Sequence, residues 1–270
     1  MAYRLIATDI DGTLAAEMDD TPKGETRVIS PRTLRAIARL KELGLTFTLA
    51  TGRSLLGMRA FLPLVGAETP VISFNGGAVV KASGEILYER RLSMDCSRRI
   101  LALGWELAPS IVVWDGDQVY TDRLSADIDR YQTFNNVQVQ LVERDALTRI
   151  SASKMIWFDS SGGVGKILDT LRGLDTSGFD YFTSHMSFIE FVAAGVSKGS
   201  ALKKIGEILG VRREEIIAVG DGMNDLSMIE YAGLGVAMGN AGERVKAAAD
   251  YVTGTVQQDG LAQVIEKFML

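Results

Sequence analysis

The sequence predicts an α/β protein with a doubly wound parallel sheet and an α+β segment inserted into it. Two observations lead to this prediction. Near both ends of the chain, short apolar runs alternate with helical patterns, an order typical of parallel sheets covered by helices. Between about residues 83 and 187, paired apolar runs instead flank turn sequences, which indicates antiparallel strands.

The first elements follow the strand–helix order. Leu5–Thr8 is a short apolar run that ends in acidic residues and glycine, as expected for a buried strand that leads into a loop. Residues 16–30 are polar and are predicted to form a loop. Ser30 and Pro31 are typical of helix starts, and the helix that they begin is predicted to end at Gly44.

The same order continues up to the insertion and resumes after it. Within the insertion, Asp115-Gly116 separates two apolar runs, which predicts a hairpin. The other main predictions are strands over Leu45–Ala50 and Val71–Phe74, helices over Ser54–Leu64 and Lys198–Leu209, a strand over 215–219, a helix over 223–232, a strand over 234–237, and helices over 243–249 and 261–268.

The amino-acid composition argues against several classes of function. The 270 residues carry 29 Lys and Arg against 34 Asp and Glu, a net charge of −5, whereas proteins that bind nucleic-acid backbones usually carry a basic surplus. Cys96 is the only cysteine and His185 the only histidine, which excludes an intrachain disulfide, a multi-cysteine zinc site and a histidine pair. The amino-terminal residues do not resemble a signal peptide, and no apolar stretch is long enough to span a bilayer, so we expect a cytoplasmic protein.

An acidic pair follows the first predicted strand. Asp9 and Asp11 are two positions apart, so in an extended chain their side chains point to the same side. Two neighbouring carboxylates repel each other unless a cation lies between them, and oxygen ligands favour a hard ion such as Mg²⁺. The alternative is an ordinary solvated turn, because Asp and Gly are common turn formers.

A second acidic pair, Asp221 and Asp225, brackets a glycine-rich turn that leads into a helix. The spacing places both residues on one side of the first helical turn. Acidic residues also stabilise helix N-termini, which is the alternative explanation. Because ligands of open α/β sheets bind beyond the carboxyl ends of the strands, we expect both pairs to converge there on one divalent cation.

Two further motifs favour an anion site at this edge of the sheet. Thr51 and Gly52 follow a predicted strand and precede a predicted helix, where backbone N–H groups are available to an anion. Lys198 opens a helix, where its charge opposes the helix dipole, so a functional role competes with the interpretation as an ordinary exposed lysine.

Taken together and in this order, four motifs resemble those of the haloacid dehalogenase superfamily of phosphotransferases. They are DxDGT at residues 9–13, TGR at 51–53, VSKG at 196–199 and GDGxND at 220–225. The insertion between the second and third motifs resembles the type IIB cap of the Cof-like sugar-phosphatase branch. The resemblance implies a Rossmann-like core formed by residues 1–82 and 188–270, with residues 83–187 as a cap that selects the substrate.

The resemblance also implies roles for individual residues. Asp9 would attack phosphorus and form an aspartyl-phosphate, and Asp11 would protonate the leaving oxygen and then activate water. Mg²⁺ would be held by Asp9, the backbone carbonyl of Asp11 and Asp221, with Asp225 in support. The residues that would hold or contact the phosphoryl group are Ile10, Thr51, Gly52, Lys198 and Asn224.

The predicted function is Mg²⁺-dependent hydrolysis of a small phosphorylated metabolite, with sugar phosphates as the expected class, by a protein that binds neither nucleic acid nor membranes. A phosphosugar mutase or phosphotransferase is an alternative, because an aspartyl-phosphate can pass to an alcohol instead of water. A non-catalytic sensor of phosphate ligands is another, although binding alone needs neither a nucleophile nor an acid. The sequence leaves open whether Arg53, Asn75 or His185 contacts the substrate.

Overall fold

The computed structural model describes residues 2–16, 29–135 and 137–270, so most of the loop predicted over residues 16–30 lies outside the described residues. The chain forms two compact units. The first unit comprises Met1–Gly52, Arg59–Tyr88 and Ser197–Leu270, and the second comprises Arg53–Met58 and Glu89–Val196.

The first unit begins with a fully buried strand of four residues. As predicted, Ser30 caps the helix that follows: its hydroxyl accepts a hydrogen bond from the Thr33 N–H at 3.1 Å, and Pro31 occupies the first helical position. The elements up to the insertion are β1 (Leu5–Thr8), α1 (Pro31–Glu42), β2 (Thr46–Leu49), β3 (Pro70–Ser73), β4 (Ala78–Lys81) and β5 (Ile86–Glu89).

The helix predicted over Ser54–Leu64 is wrong. The structure has a series of turns there, and only Leu62–Leu64 forms a single 3₁₀ turn. Gly57 weakens a helix through its backbone freedom, and Pro63 has no N–H to donate, so the apolar spacing alone does not maintain a helix.

The second unit is an α+β structure, as its turn signals predict. The predicted hairpin at Asp115-Gly116 is present. The elements of the second unit are α2 (Met94–Leu107), β6 (Ser110–Asp115), β7 (Gln118–Thr121), α3 (Ala126–Asn135), β8 (Val139–Leu141), α4 (Arg144–Leu147), β9 (Lys154–Phe158), α5 (Val164–Leu171), β10 (Phe179–His185) and β11 (Phe188–Ala193).

These strands form one six-stranded sheet in the order β10-β11-β9-β6-β7-β8, in which only β7 and β8 pair in parallel. On one face, Met155 and Trp157 join the hydrophobic core of the unit. The resemblance implies a cap over residues 83–187, whereas the second unit has Glu89–Val196 as its main segment, which begins six residues later and includes residues 188–196. Residues 188–193 belong to the second unit because they form β11, which pairs with both β10 and β9. The pairing of β11 with β9 joins strands that are distant in sequence, and the local pattern does not reveal it.

After β11 the chain returns to the first unit, and strands again alternate with helices. Ser197 caps the first of these helices by accepting a hydrogen bond from the Ser200 N–H at 3.1 Å. Each helix within residues 2–16, 29–135 and 137–270 is too short or too polar to cross a membrane. The remaining elements are α6 (Lys198–Leu209), β12 (Ile216–Gly220), α7 (Leu226–Tyr231), β13 (Leu234–Ala237), α8 (Glu243–Ala248), β14 (Tyr251–Val252) and α9 (Gly260–Phe268).

The main sheet of the first unit has the order β14-β13-β12-β1-β2, and all of its strands are parallel. This confirms the predicted fold class. A bridge between Ala50 and Ile72 adds β3 beside β2. The chain proceeds from β1 to β2 on one side and from β12 to β13 on the other, so the strand order reverses between β1 and β12. Such a reversal opens a crevice at the carboxyl ends of the two strands.

Candidate active site

Two of the predicted acidic residues lie at the crevice beyond the carboxyl ends of β1 and β12. Asp9 directly follows β1, and Asp221 directly follows β12. The Asp9 N–H donates to the Val219 carbonyl at 3.0 Å, which ties the end of β1 to β12. Asp9, Asp221 and Asp225 each offer a carboxylate oxygen within 4.8 Å of the others. Three of the four predicted carboxylates are therefore shown to gather at one point.

Lys198 is fully buried, so the interpretation as an ordinary exposed lysine is wrong. Its ammonium donates to Asp9 Oδ1 at 2.8 Å and to Asp225 Oδ1 at 2.5 Å. A buried ammonium is costly unless carboxylates pair with it. The first turn of α6 therefore delivers a positive charge into the acidic cluster.

Asp225 holds the loop after β12 in place. Its Oδ2 accepts hydrogen bonds from the backbone N–H groups of Asp221 at 3.0 Å and Gly222 at 2.9 Å, while its Oδ1 accepts from Lys198. Both oxygens of this fully buried carboxylate thus have donors. This arrangement suits a supporting role better than direct metal ligation.

Thr13 and Asn240 orient the Asp221 carboxylate, and sequence analysis missed both. The Thr13 hydroxyl donates to Asp221 Oδ1 at 2.6 Å, and Asn240 Nδ2 lies 3.3 Å from Asp221 Oδ2. Asn240 also donates to the Gly12 carbonyl at 2.9 Å. Gly12 has a φ of +76°, and a Cβ there would collide with the Asp221 carboxylate. Asn240 lies just beyond the carboxyl end of β13, which is a position that could have identified it.

Ile10 and Asp11 belong to the turn after β1. Asp11 is half-buried. The Ile10 side chain is fully buried, and its carbonyl accepts hydrogen bonds from the N–H groups of Leu14 at 3.1 Å and Ala15 at 2.9 Å. A contact between Ile10 and a ligand would therefore have to come from its backbone N–H.

The Thr51 backbone is engaged within the protein. Its N–H donates to the Ile72 carbonyl at 3.1 Å, and its carbonyl accepts from the Asn75 N–H at 3.0 Å. The prediction of an available N–H at Thr51 in front of a helix is therefore wrong: β3 lies alongside, and turns replace the helix. A ligand contact from Thr51 would have to come from its hydroxyl.

The remaining residues that the sequence analysis names as site residues or leaves undecided lie in both units. Asn224 belongs to the loop after β12, and its Nδ2 donates to Asn75 Oδ1 at 3.0 Å. Gly52, which follows Thr51, is half-buried. Arg53 belongs to the second unit and donates to the Gly57 carbonyl at 3.0 Å. The side chain of His185 is outside the described part of the structure.

Burial and the neighbouring charges shift the pKa values of Asp9 and Lys198. Burial raises the pKa of Asp9 from 3.8 to about 7, against the lowering effect of Lys198 and with a further raising effect of Asp225 and Asp221. The pKa of Lys198 is raised despite its burial, because Asp225 and Asp9 stabilise the ammonium. When all are ionised, the three carboxylates outnumber the one ammonium by two charges.

The donor set fits a hard divalent cation. Two oxygens that share one Mg²⁺ at about 2.1 Å lie at most about 4.2 Å apart, so the observed spacing of up to 4.8 Å needs only a small side-chain adjustment. Oδ2 of Asp9 has no hydrogen-bond donor among the described residues, and a dication would neutralise the two surplus charges.

Comparison with known proteins identifies the family. The family model of haloacid dehalogenase-like hydrolases matches residues 6–265. The HMP-PP phosphatase of Yersinia pseudotuberculosis is 30% identical over 269 residues, which cover 99% of this chain and 96% of that protein. The chain therefore belongs to the haloacid dehalogenase-like hydrolases, which confirms the resemblance given by its motifs. Within this family it is a phosphatase.

Solved structures agree on the fold. A haloacid dehalogenase-like hydrolase from Bacteroides thetaiotaomicron superposes with a TM-score of 0.83 at 33% identity, over 98% of this chain and 99% of that one. A subclass IIB sugar phosphatase of the same superfamily superposes with a TM-score of 0.82 at 24% identity, over 98% of each chain. At that identity the second likeness shows the shared fold alone.

Proposed function

We propose that this phosphatase hydrolyses small phosphorylated metabolites with the help of Mg²⁺ and through an aspartyl-phosphate at Asp9. The observation that supports the proposal is the buried Asp9 carboxylate at the end of β1, held by Lys198 beside Asp221 and Asp225. A non-catalytic phosphate sensor would need neither a buried nucleophile nor a neighbouring acid.

In the proposed reaction, an Asp9 oxygen attacks phosphorus while the bond between phosphorus and the leaving oxygen breaks. Asp11 donates a proton to that oxygen. Asp11 then takes a proton from a water molecule, whose oxygen attacks phosphorus and releases inorganic phosphate and the free Asp9 carboxylate. This order fits a carboxyl group that changes from acid to base within one turnover.

The remaining residues hold the reacting groups. A bound Mg²⁺ would be held by Asp9, the Asp11 carbonyl and Asp221, and would reduce the repulsion between the carboxylates and the phosphoryl group. Asp225 fixes the Asp221 backbone and Lys198. Lys198, Thr51, Gly52, Asn224 and the Ile10 N–H would bind phosphoryl oxygens, because phosphoryl transfer depends mainly on positioning and electrostatics.

The substrate class is proposed from the relatives. One curated relative is named an HMP-PP phosphatase, and one structural neighbour is a sugar phosphatase. Sugar phosphates and HMP-PP are therefore the first compounds to assay. Residues 89–196 of the second unit are proposed to select among them.

The test is a phosphate-release assay with this panel and a generic aryl phosphate. We expect turnover that EDTA abolishes and Mg²⁺ restores, and a loss of roughly 10³-fold or more in Asp9→Asn, because loss of a covalent nucleophile has effects of this size or larger. Full activity in chelator would contradict the metal role. If a sugar phosphate were converted to a new phosphate ester without release of phosphate, the mutase or phosphotransferase alternative would replace hydrolysis.

A further inference from the structure

A turn directly after β3 has an unusual backbone. Phe74 and Asn75 have φ values of +52° and +57°, and Gly76 follows with +105°. The left-handed region is unfavourable for residues with side chains, and such residues persist there only when surrounding contacts hold them. Phe74 and Asn75 are both buried. The contacts of this turn therefore indicate why the conformation is retained.

Asn75 joins two of the loops that carry predicted phosphate ligands. Its backbone N–H donates to the Thr51 carbonyl at 3.0 Å, and its Oδ1 accepts from Asn224 Nδ2 at 3.0 Å. The Asn75 side chain also packs against Gly52 so closely that a Cβ on Gly52 would lie 2.9 Å from Asn75 Nδ2. One buried side chain thus contacts the loop after β2 and the loop after β12.

Gly76 brings the same turn against a third loop. A Cβ at this position would collide with the Ser197 carbonyl, so only glycine allows the approach. Ser197 is the cap of α6 and directly precedes Lys198. The turn over Phe74–Gly76 therefore contacts all three loops that carry Thr51, Lys198 and Asn224.

We propose that Asn75 is a positioning residue that fixes the side-chain amide of Asn224 for binding a phosphoryl group. The two ends of an amide have similar shapes and opposite polarity. Because Asn75 Oδ1 accepts one Nδ2–H of Asn224, the amide is held with its nitrogen end fixed and a second N–H left as a donor. The inference rests on the proposed function, in which Asn224 donates to the phosphoryl group.

The backbone supports a role for the side chain itself. Glycine would adopt the φ of Asn75 without strain, and asparagine is among the residues with side chains that tolerate it best. The side chain at position 75 is buried and bonded to Asn224, rather than exposed to solvent. The variant Asn75→Gly consequently removes the amide while it keeps the backbone conformation accessible.

The first experiment compares Asn75→Gly with the wild type at saturating Mg²⁺. We expect the KM for an aryl phosphate and the inhibition constant of inorganic phosphate to rise roughly 10- to 100-fold, because a hydrogen bond to a charged group is lost or misdirected. The Mg²⁺ concentration for half-maximal activity should change by less than about twofold. The matched control is Asn240→Ala, which removes a contact to Asp221 and should show the reverse: a higher Mg²⁺ requirement and a nearly unchanged phosphate inhibition constant.

A double-mutant cycle with Asn224→Ala tests whether Asn75 acts through Asn224. We expect Asn75→Gly to add less than about twofold to the loss of phosphate affinity in Asn224→Ala. Fully additive losses, or an unchanged inhibition constant in folded Asn75→Gly, would overturn the proposal. An inactive wild type would instead count against the proposed function.

A measurement on the wild type covers the case in which Asn75→Gly does not fold. The side-chain amide signals of Asn224 are assigned by NMR from their absence in Asn224→Ala. In the phosphate-free protein, we expect two distinct Nδ2 proton signals, one of them slow to exchange with solvent. Fast exchange of both protons would show that the amide is not held before phosphate binds, and would contradict the positioning role.

Discussion

The two units each bury a lysine, and their surroundings differ. In the first unit, Lys198 lies at the carboxyl ends of parallel strands and donates to Asp9 and Asp225, with Asp221 in the same acidic group. In the second unit, Lys154 lies on β9 and donates to Glu190 of β11 at 2.9 Å. Both side chains of the second pair are more than nine-tenths buried.

The two lysines differ in the charge that surrounds them: Lys154 forms an ion pair with one carboxylate, whereas Lys198 lies in a cluster of three carboxylates. Lys154 and Glu190 bring one positive and one negative charge together on a sheet face that also contains Trp114 and Phe158. Around Lys198 the negative charges are in excess, and the burial that accompanies this excess raises the pKa of Asp9 to about 7. Surplus negative charge in a buried position is compensated by a bound proton or by a further cation, and groups perturbed in this way are enriched at functional sites.

The largest effects are expected from removal of the two lysines. Lys198→Met should lower kcat/KM by roughly 10²- to 10³-fold, the size seen when a preorganised electrostatic donor is removed. Both Lys198→Met and Lys154→Met should destabilise the protein by about 3–5 kcal/mol, because each removes one partner of a buried ion pair. Denaturant unfolding and steady-state kinetics measure the two effects.

Second substitutions sharpen this prediction. Lys154→Met with Glu190→Leu should recover most of the lost stability, because apolar pairs often replace buried ion pairs without cost. Lys198→Met with Asp225→Asn should recover stability in part and leave kcat/KM low. Recovery of activity together with stability in the Lys198 double variant would show that this cluster is only structural.

An intermediate effect is expected at the two acids after β12. Asp221→Asn should raise the Mg²⁺ concentration for half-maximal activity more than Asp225→Asn does, because both Asp225 oxygens already accept hydrogen bonds from the protein. Loss of a supporting residue typically weakens metal affinity roughly 10- to 100-fold, which sets the scale for Asp225→Asn. Activity titrations with Mg²⁺ after dialysis against chelator give both values, and the reverse order would contradict the assignment.

The smallest effect is a pH dependence of Mg²⁺ binding. The pKa of Asp9 in the folded protein, about 7, is above its ordinary value of 3.8, so its contribution to stability is present below pH 3.8 and is lost as the pH rises through 7. Mg²⁺ must displace this proton, so its affinity should rise with pH up to about 7, by at most about tenfold per unit, and then level off. Calorimetric titrations from pH 5.5 to 8.5 test this, with Asp9→Asn as the control that lacks this proton. An affinity that is constant between pH 5.5 and 7 would contradict it.

The sequence could predict the features that local patterns and short motifs encode. Buried strands such as Leu5–Thr8 and capped helices such as the one at Ser30 depend on neighbouring residues, and those predictions agree with the structure. The helix predicted over Ser54–Leu64 is wrong for a local reason, because Gly57 and Pro63 both disfavour a helix there. Two other failures involve long-range contacts. Pairing of β11 within the second unit and the hydrogen bond from the Thr51 N–H to Ile72 arise from residues distant in sequence.

In the candidate active site, too, residues within local motifs could be predicted, whereas contacts between distant parts of the chain could not. The motif residues Asp9, Asp221 and Lys198 were found because each lies in a recognisable sequence at a strand end or helix start. The sequence does not reveal that Thr13 hydrogen-bonds to Asp221, 208 positions away, or that Asn240 donates to Gly12, 228 positions away. Asn240 is only 19 positions from Asp221, but a helix and a strand separate the two residues, and no local pattern indicates that their side chains meet.

The most direct test of the central claim is to trap the phosphorylated enzyme. The protein is mixed with a phosphorus-32-labelled substrate and Mg²⁺, quenched in acid within one turnover, and digested for identification of the labelled peptide. The account predicts an acid-stable, base-labile label on Asp9 that is absent from Asp9→Asn. A label on a different residue, or steady turnover with no label on Asp9 at any quench time, would contradict it.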